Sequence, residues 1–174
     1  ASGADIIITG ETTNNYLGIS LNVGDFNADG KTDIVVGAHW YSSNTGRVYI
    51  FYNGSITAEN ASGADVFIAG EASSNSFGRS LASGDFNSDG KIDLVVGADG
   101  YASNRGRAYL YTFNDGVITG ETTDNYFGAS LTSGDFNADG RIALAVGASQ
   151  YSTTTGRVYI FYNDGQNLPT TAAT

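Results

Sequence analysis

The stretch GDFNADGKTDIVVGA, Gly24 to Ala38, joins a polar Asp/Asn/Gly loop directly to the apolar run Ile34-Val35-Val36. A strand wet on one side alternates polar and apolar residues, whereas a continuous apolar run marks a strand covered on both faces. The same construction returns as GDFNSDGKIDLVVGA from Gly84 and GDFNADGRIALAVGA from Gly134. The chain is therefore built from repeats.

The similarity extends outward from the loop. IIITGETTNNYLGISL from Ile6, VFIAGEASSNSFGRSL from Val66 and GVITGETTDNYFGASL from Gly116 align before it, and GRVYIFYN, GRAYLYTF and GRVYIFYN from Gly46, Gly106 and Gly156 align after it. Asp25, Asp85 and Asp135 are 60 and then 50 positions apart, a spacing that suits propeller blades or solenoid units. Each unit reads as four strands, roughly 6 to 9, 16 to 23, 33 to 37 and 47 to 52 in the first, with no helical periodicity. The last of these carries Val48, Ile50 and Tyr52 on one face and Tyr49 and Phe51 on the other, so it also has two faces to bury.

Small four-stranded sheets stacked face to face around an axis meet that need. The expected fold is all-β: three four-stranded antiparallel β-propeller blades, at 1–54, 65–114 and 115–164. A linker spans 55–64, and a Thr-rich tail or linker spans 165–174, where the array reads as ending. Ala1 to Asp5 (ASGAD) duplicates Ala61 to Asp65, as though another unit could precede the first. Propellers typically have about four to eight blades. A partial propeller of three is expected to be completed by oligomerisation or by missing chain.

The loop itself points to a cation. Asp25, Asn27, Asp29 and Asp33 stand at positions 1, 3, 5 and 9; Gly30 at position 6 permits a sharp turn, and the Lys31 carbonyl at position 7 can face inward. The second loop repeats this with Asp85, Asn87, Asp89, Lys91 and Asp93. The third keeps Asp135, Asn137, Asp139 and Arg141 but has Ala143 at position 9. Such an all-oxygen set suits Ca²⁺ better than Mg²⁺ or zinc, giving two complete sites and a third, weaker one. Asp, Asn and Gly also make a good turn without any ion. An EF-hand is excluded, because position 12 is Val36 in a strand.

Composition narrows the classes. The net charge is -10, with 8 Lys and Arg against 18 Asp and Glu, which argues against nucleic acid or insertion at an anionic membrane. With no Cys and one His, neither a zinc site nor a nucleophilic triad is expected, and the chain reads as non-enzymatic. The lack of an initiator Met at Ala1 reads as processing, or as a segment of a longer protein.

The chain resembles the FG-GAP repeats of the integrin α-chain β-propeller and their bacterial relatives. The residues that carry the resemblance are YLG, SFG and YFG ending at Gly18, Gly78 and Gly128, the DxNxDGxxD loop, and the closing Gly37-Ala38, Gly97-Ala98 and Gly147-Ala148. It implies a four-stranded blade per repeat with Ca²⁺ in the loop, in propellers that are commonly seven-bladed. The function it implies is an extracellular or cell-surface module for adhesion; the two apolar faces that three blades leave open add the expectation of structural self-assembly, as a ring or filament. Its partners are other copies of itself or the rest of a longer propeller chain. A carbohydrate-binding lectin, using glycans through Trp40 and Tyr41, is the alternative.

Recurrent Glu11, Glu71, Glu121 and Arg47, Arg107, Arg157 read as structural, as do Tyr41, Tyr101 and Tyr151; His39 reads as a plain loop residue. Asn53 and Asn60 head N-glycosylation sequons.

Overall fold

The computed structural model describes residues 3–54, 56, 60–111, 116–165, 168 and 172. It is an all-β structure of three antiparallel sheets. The first contains β1 (Ser20–Gly24), β2 (Asp33–Ala38), β3 (Arg47–Phe51) and β4 (Val66–Ala69), hydrogen-bonded in that order. The second contains β5 (Phe77–Gly84), β6 (Asp93–Ala98), β7 (Arg107–Tyr111) and β8 (Gly116–Thr119). In the third, β9 (Phe127–Gly134), β10 (Ala143–Ala148) and β11 (Arg157–Phe161) pair among the described residues.

Strand membership corrects the sequence reading in one respect. The segment at the head of each unit does not join that unit's sheet: β4 and β8 complete the sheet before their own. Each pairs antiparallel with the last strand of the preceding repeat, the nearest unsatisfied edge along the chain. Among the described residues Ile6 to Thr9 pairs with no such strand, and Thr9 makes its one bridge with Asn60. For the same reason β1 starts at Ser20 and not at 16. β5 and β9 start earlier because Phe77 and Phe127 bridge Gly46 and Gly106 of the preceding sheet.

The central strands are buried on both faces, as their apolar runs require. Val35, Val48 and Ile50 of the first sheet meet Phe77, Leu81, Leu94 and Val96 of the second. Val95, Ala108 and Leu110 of the second meet Phe127, Leu144, Val146 and Phe161 of the third. The outer face of the first sheet is capped in part by Ile8, Leu17, Ile56 and Ala61 over Tyr49 and Phe51. Two residues of the expected tail are core residues: Leu168 and Ala172 are buried with the second and third sheets, because both are apolar.

Candidate metal-binding loops

Each loop turns between its first two strands, and its side chains shape the turn. Asp25 Oδ1 accepts the Asp29 N–H (3.0 Å) and Oδ2 the Gly30 N–H (2.8 Å), while Asp29 Oδ1 accepts the Lys31 N–H (2.9 Å). Asn27 Oδ1 also accepts from the Asp29 N–H, and its Nδ2 donates to Asp29 Oδ2. Asp85, Asn87, Asp89 and Lys91 repeat the pattern, and so do Asp135, Asn137, Asp139 and Arg141. Ala28, Ser88 and Ala138 at position 4 have φ of 58°, 60° and 58°, and Gly30, Gly90 and Gly140 have φ of 83°. Two left-handed residues in one short loop explain why glycine stands at position 6.

Position 9 does a different job. Asp33 is buried; its Oδ2 accepts the Phe26 N–H and its Oδ1 the Asn53 N–H, both at 2.9 Å, so it ties the loop to two strand ends. Asp93 is likewise buried and accepts the Phe86 N–H at 2.9 Å. The third loop has the buried methyl of Ala143 there. Among the described residues no three acidic or histidine side chains gather as a metal-holding group. Two carboxylates lie on each loop, and in the first two loops a third is anchored at the strand.

The donor chemistry nevertheless fits a hard cation. A carboxylate has about four lone-pair sites, and the bonds above use two of those on Asp25 and two on Asp29. Asn27 and Asp29 are exposed, and all donors are oxygen. Hydrogen bonds from Asn137 and the Arg141 N–H hold the Asp139 carboxyl below its usual range. Burial pushes Asp93 up to about 6, and the neighbouring Asp89 and Asp85 charges add to the shift while the Phe86 N–H opposes it. The first and second loops face each other across a cleft lined by Asp25, Phe26, Ala28, Asp89, Lys91 and Asp93.

At the opposite ends of the strands the recurrent Glu, Arg and Tyr form one assembly per repeat. Glu11, Glu71 and Glu121 pair with Arg47, Arg107 and Arg157 at 3.0, 3.3 and 3.0 Å. Each guanidinium lies over a tyrosine ring, Tyr41, Tyr101 or Tyr151, at 3.8, 3.6 and 3.6 Å. These tyrosines are thus occupied by packing.

His39 is not a plain loop residue. It is buried against Tyr16 and Trp40, whose own ring centroids lie 4.7 Å apart with the planes tilted by 57°. Burial, aided by the Arg79 charge, lowers its pKa to about 4. Asp99, the equivalent residue of the second repeat, pairs with Arg79 at 3.6 Å. Nothing in a single loop residue signals such burial. Only the comparison of His39 with Asp99 and Ser149 hints that this corner has a variable partner.

Comparison with known proteins matches the FG-GAP repeat family at residues 17–51, 77–111 and 127–161. Mouse integrin alpha-M is 43% identical over 88 residues, covering 48% of this chain and 8% of that protein. Mouse integrin alpha-3 is 33% identical over 124 residues, 66% of this chain and 11% of that protein. Human phosphatidylinositol-glycan-specific phospholipase D is 36% identical over 108 residues, 55% of this chain and 13% of that protein. The chain thus spans a small fraction of the relatives it matches.

Proposed function

The chain belongs to the FG-GAP repeat family, and from that premise we propose that it is a non-enzymatic, calcium-binding extracellular propeller module that serves adhesion. The observation that carries the reading is the recurrence of one oxygen-lined loop, with the same main-chain bonds, in three blades. The integrin alpha relatives support adhesion, and their similarity supports a place outside the cell. The only His is buried and there is no Cys, which supports a binding role over catalysis. Extracellular calcium modules work at roughly 10⁻⁴ to 10⁻³ M, an affinity range suited to these exposed loops.

Calorimetric titration of the chelator-stripped chain with CaCl₂ tests this. The expected result is binding at all three loops, with the third weaker by about ten- to a hundredfold because the buried carboxylate that adds a negative charge beside the first two loops is replaced there by Ala143. Asp25→Ala should remove one of the tighter sites and Asp85→Ala the other. A titration with no calcium heat would overturn the proposal.

A second reading, a lectin, is favoured by one feature: Tyr16 and Trp40 present an exposed aromatic pair at one corner. A glycan array decides it, through a sugar preference that is lost in Trp40→Ala.

A further inference from the structure

The edge of β11 and the segment Ile6 to Thr9 are the two halves of a contact that the molecule already makes twice. β3 receives β4 in the register Arg47↔Ala69, Val48↔Ile68, Tyr49↔Phe67, Ile50↔Val66. β7 receives β8 with Arg107↔Thr119, Ala108↔Ile118, Tyr109↔Val117, Leu110↔Gly116. β11 has the same sequence as β3, RVYIF, yet among the described residues no strand pairs with its free edge. Val158 and Ile160 are 68% and 48% exposed, where Val48 and Ile50 are 0% and 7% exposed. Conversely, Ile6 to Thr9 aligns with β4 and β8 but joins no sheet, leaving Ile6 and Ile7 at 50% and 60% exposure.

The faces beside these edges correspond in the same way. Leu81 of the second sheet is buried against the first, while its equivalent in the first sheet, Leu21, is 61% exposed. Phe26 and Phe86 pack under the following sheet; Phe136, with no following sheet among the described residues, is exposed. One end of the stack therefore shows the front half of the repeating interface and the other end shows the back half.

The connecting segments are also in place. Ala61 N–H donates to Thr9 O (2.8 Å), and Ala172 N–H donates to Thr119 O (3.3 Å), so Ala172 meets β8 as Ala61 meets Thr9. From Ala61 the linker runs through ASGAD into β4, where Asp65 closes the sheet: its N–H donates to Ile50 O, and its carboxylate accepts the Tyr52 N–H. ASGAD recurs at Ala1 to Asp5, ahead of Ile6.

We propose that the β11 edge takes Asp5 to Thr9 of a second copy of this chain, in the register Ile6↔Ile160, Ile7↔Tyr159, Ile8↔Val158, Thr9↔Arg157. Asp5 of that copy then accepts the Tyr162 N–H, and its Leu21 and Val23 cover Val158, Ile160 and Phe136. Strand addition supplies main-chain bonds, and the apolar faces supply burial. Donor and acceptor surfaces differ, so the contact is heterologous: two copies close a six-bladed ring if the rotation closes, and otherwise the stack propagates. The inference stands on the sheet edges and is independent of calcium.

Sedimentation equilibrium of the whole chain over a wide concentration range tests it, with a mass rising in multiples of 18.1 kDa as the expected result. Val158→Asp disables the acceptor edge and Ile7→Asp the donor segment, both at exposed positions. Each variant alone should remain monomeric with unchanged circular dichroism, and their mixture should form a dimer and stop there. A synthetic peptide of residues 1–10 should compete with self-association. A monomer at every concentration, or association that both variants retain, overturns the proposal. Calcium heats measured on the same samples read the other proposal separately.

Discussion

The Asp at position 9 shows how one residue type takes two roles in a single loop. Asp29 bonds exposed main-chain groups that water would otherwise satisfy, whereas Asp33 satisfies the Phe26 and Asn53 N–H groups from a buried position. Asp33→Ala should therefore cost about 2 kcal/mol, and Asp29→Ala less than about 1 kcal/mol, in urea unfolding with chelator present. Equal costs would refute the anchoring role. His39 gives a pH dependence of definite sign. Its folded pKa of about 4 lies below the ordinary 6.5, so between those values the unfolded chain holds a proton that the folded chain refuses. Stability contributed by neutral His39 is complete above pH 6.5 and is lost as pH falls towards 4, by up to about 2 kcal/mol once its partial solvent access is allowed for. His39→Gln should flatten the acid limb of the melting-temperature profile by that amount. An unchanged slope would show that the shift is absent.

At the scale of elements, glycine positions separate loop strain from blade contact. Gly30 and Gly106 both have positive φ, 83° and 81°. A Cβ on Gly30 meets nothing, but one on Gly106 would overlap the Phe127 carbonyl where the second and third sheets bridge. Gly30→Ala should cost about 1–2 kcal/mol from backbone strain alone. Gly106→Ala should cost more than about 3 kcal/mol, because the sheets must part. Comparable melting temperatures for the two variants would contradict the bridge. The strands themselves were legible in the sequence: the VVGA and RVYIF runs fall at β2 and β3, because covered strands must be apolar on both faces. The partner of each leading segment was not legible. VFIA reads as a strand whichever sheet it enters, and the choice between its own repeat and the preceding one is made by a non-local edge.

For the whole molecule, stability resides in the two inter-sheet layers and in the capped part of the first sheet's outer face, and not in the uncovered ends. Phe127 is fully buried between the second and third sheets and stacks edge-on against Tyr159 at 5.2 Å, whereas Leu21 is largely exposed. Phe127→Ala should cost about 3–5 kcal/mol. Leu21→Ala should cost less than about 0.5 kcal/mol in the monomer and should weaken self-association instead. A large loss of monomer stability in Leu21→Ala would mean that the front face is covered within the chain. The sequence alone determined the repeat, the all-β class, the oxygen-rich loops and the family resemblance, since each depends on residue type at fixed local spacing. Tertiary structure alone decided that β4 and β8 close the sheet before their own, that Asp33 faces inward as an anchor, and that His39 is buried. Those outcomes depend on which distant edge or side chain lies opposite, and no local pattern encodes it.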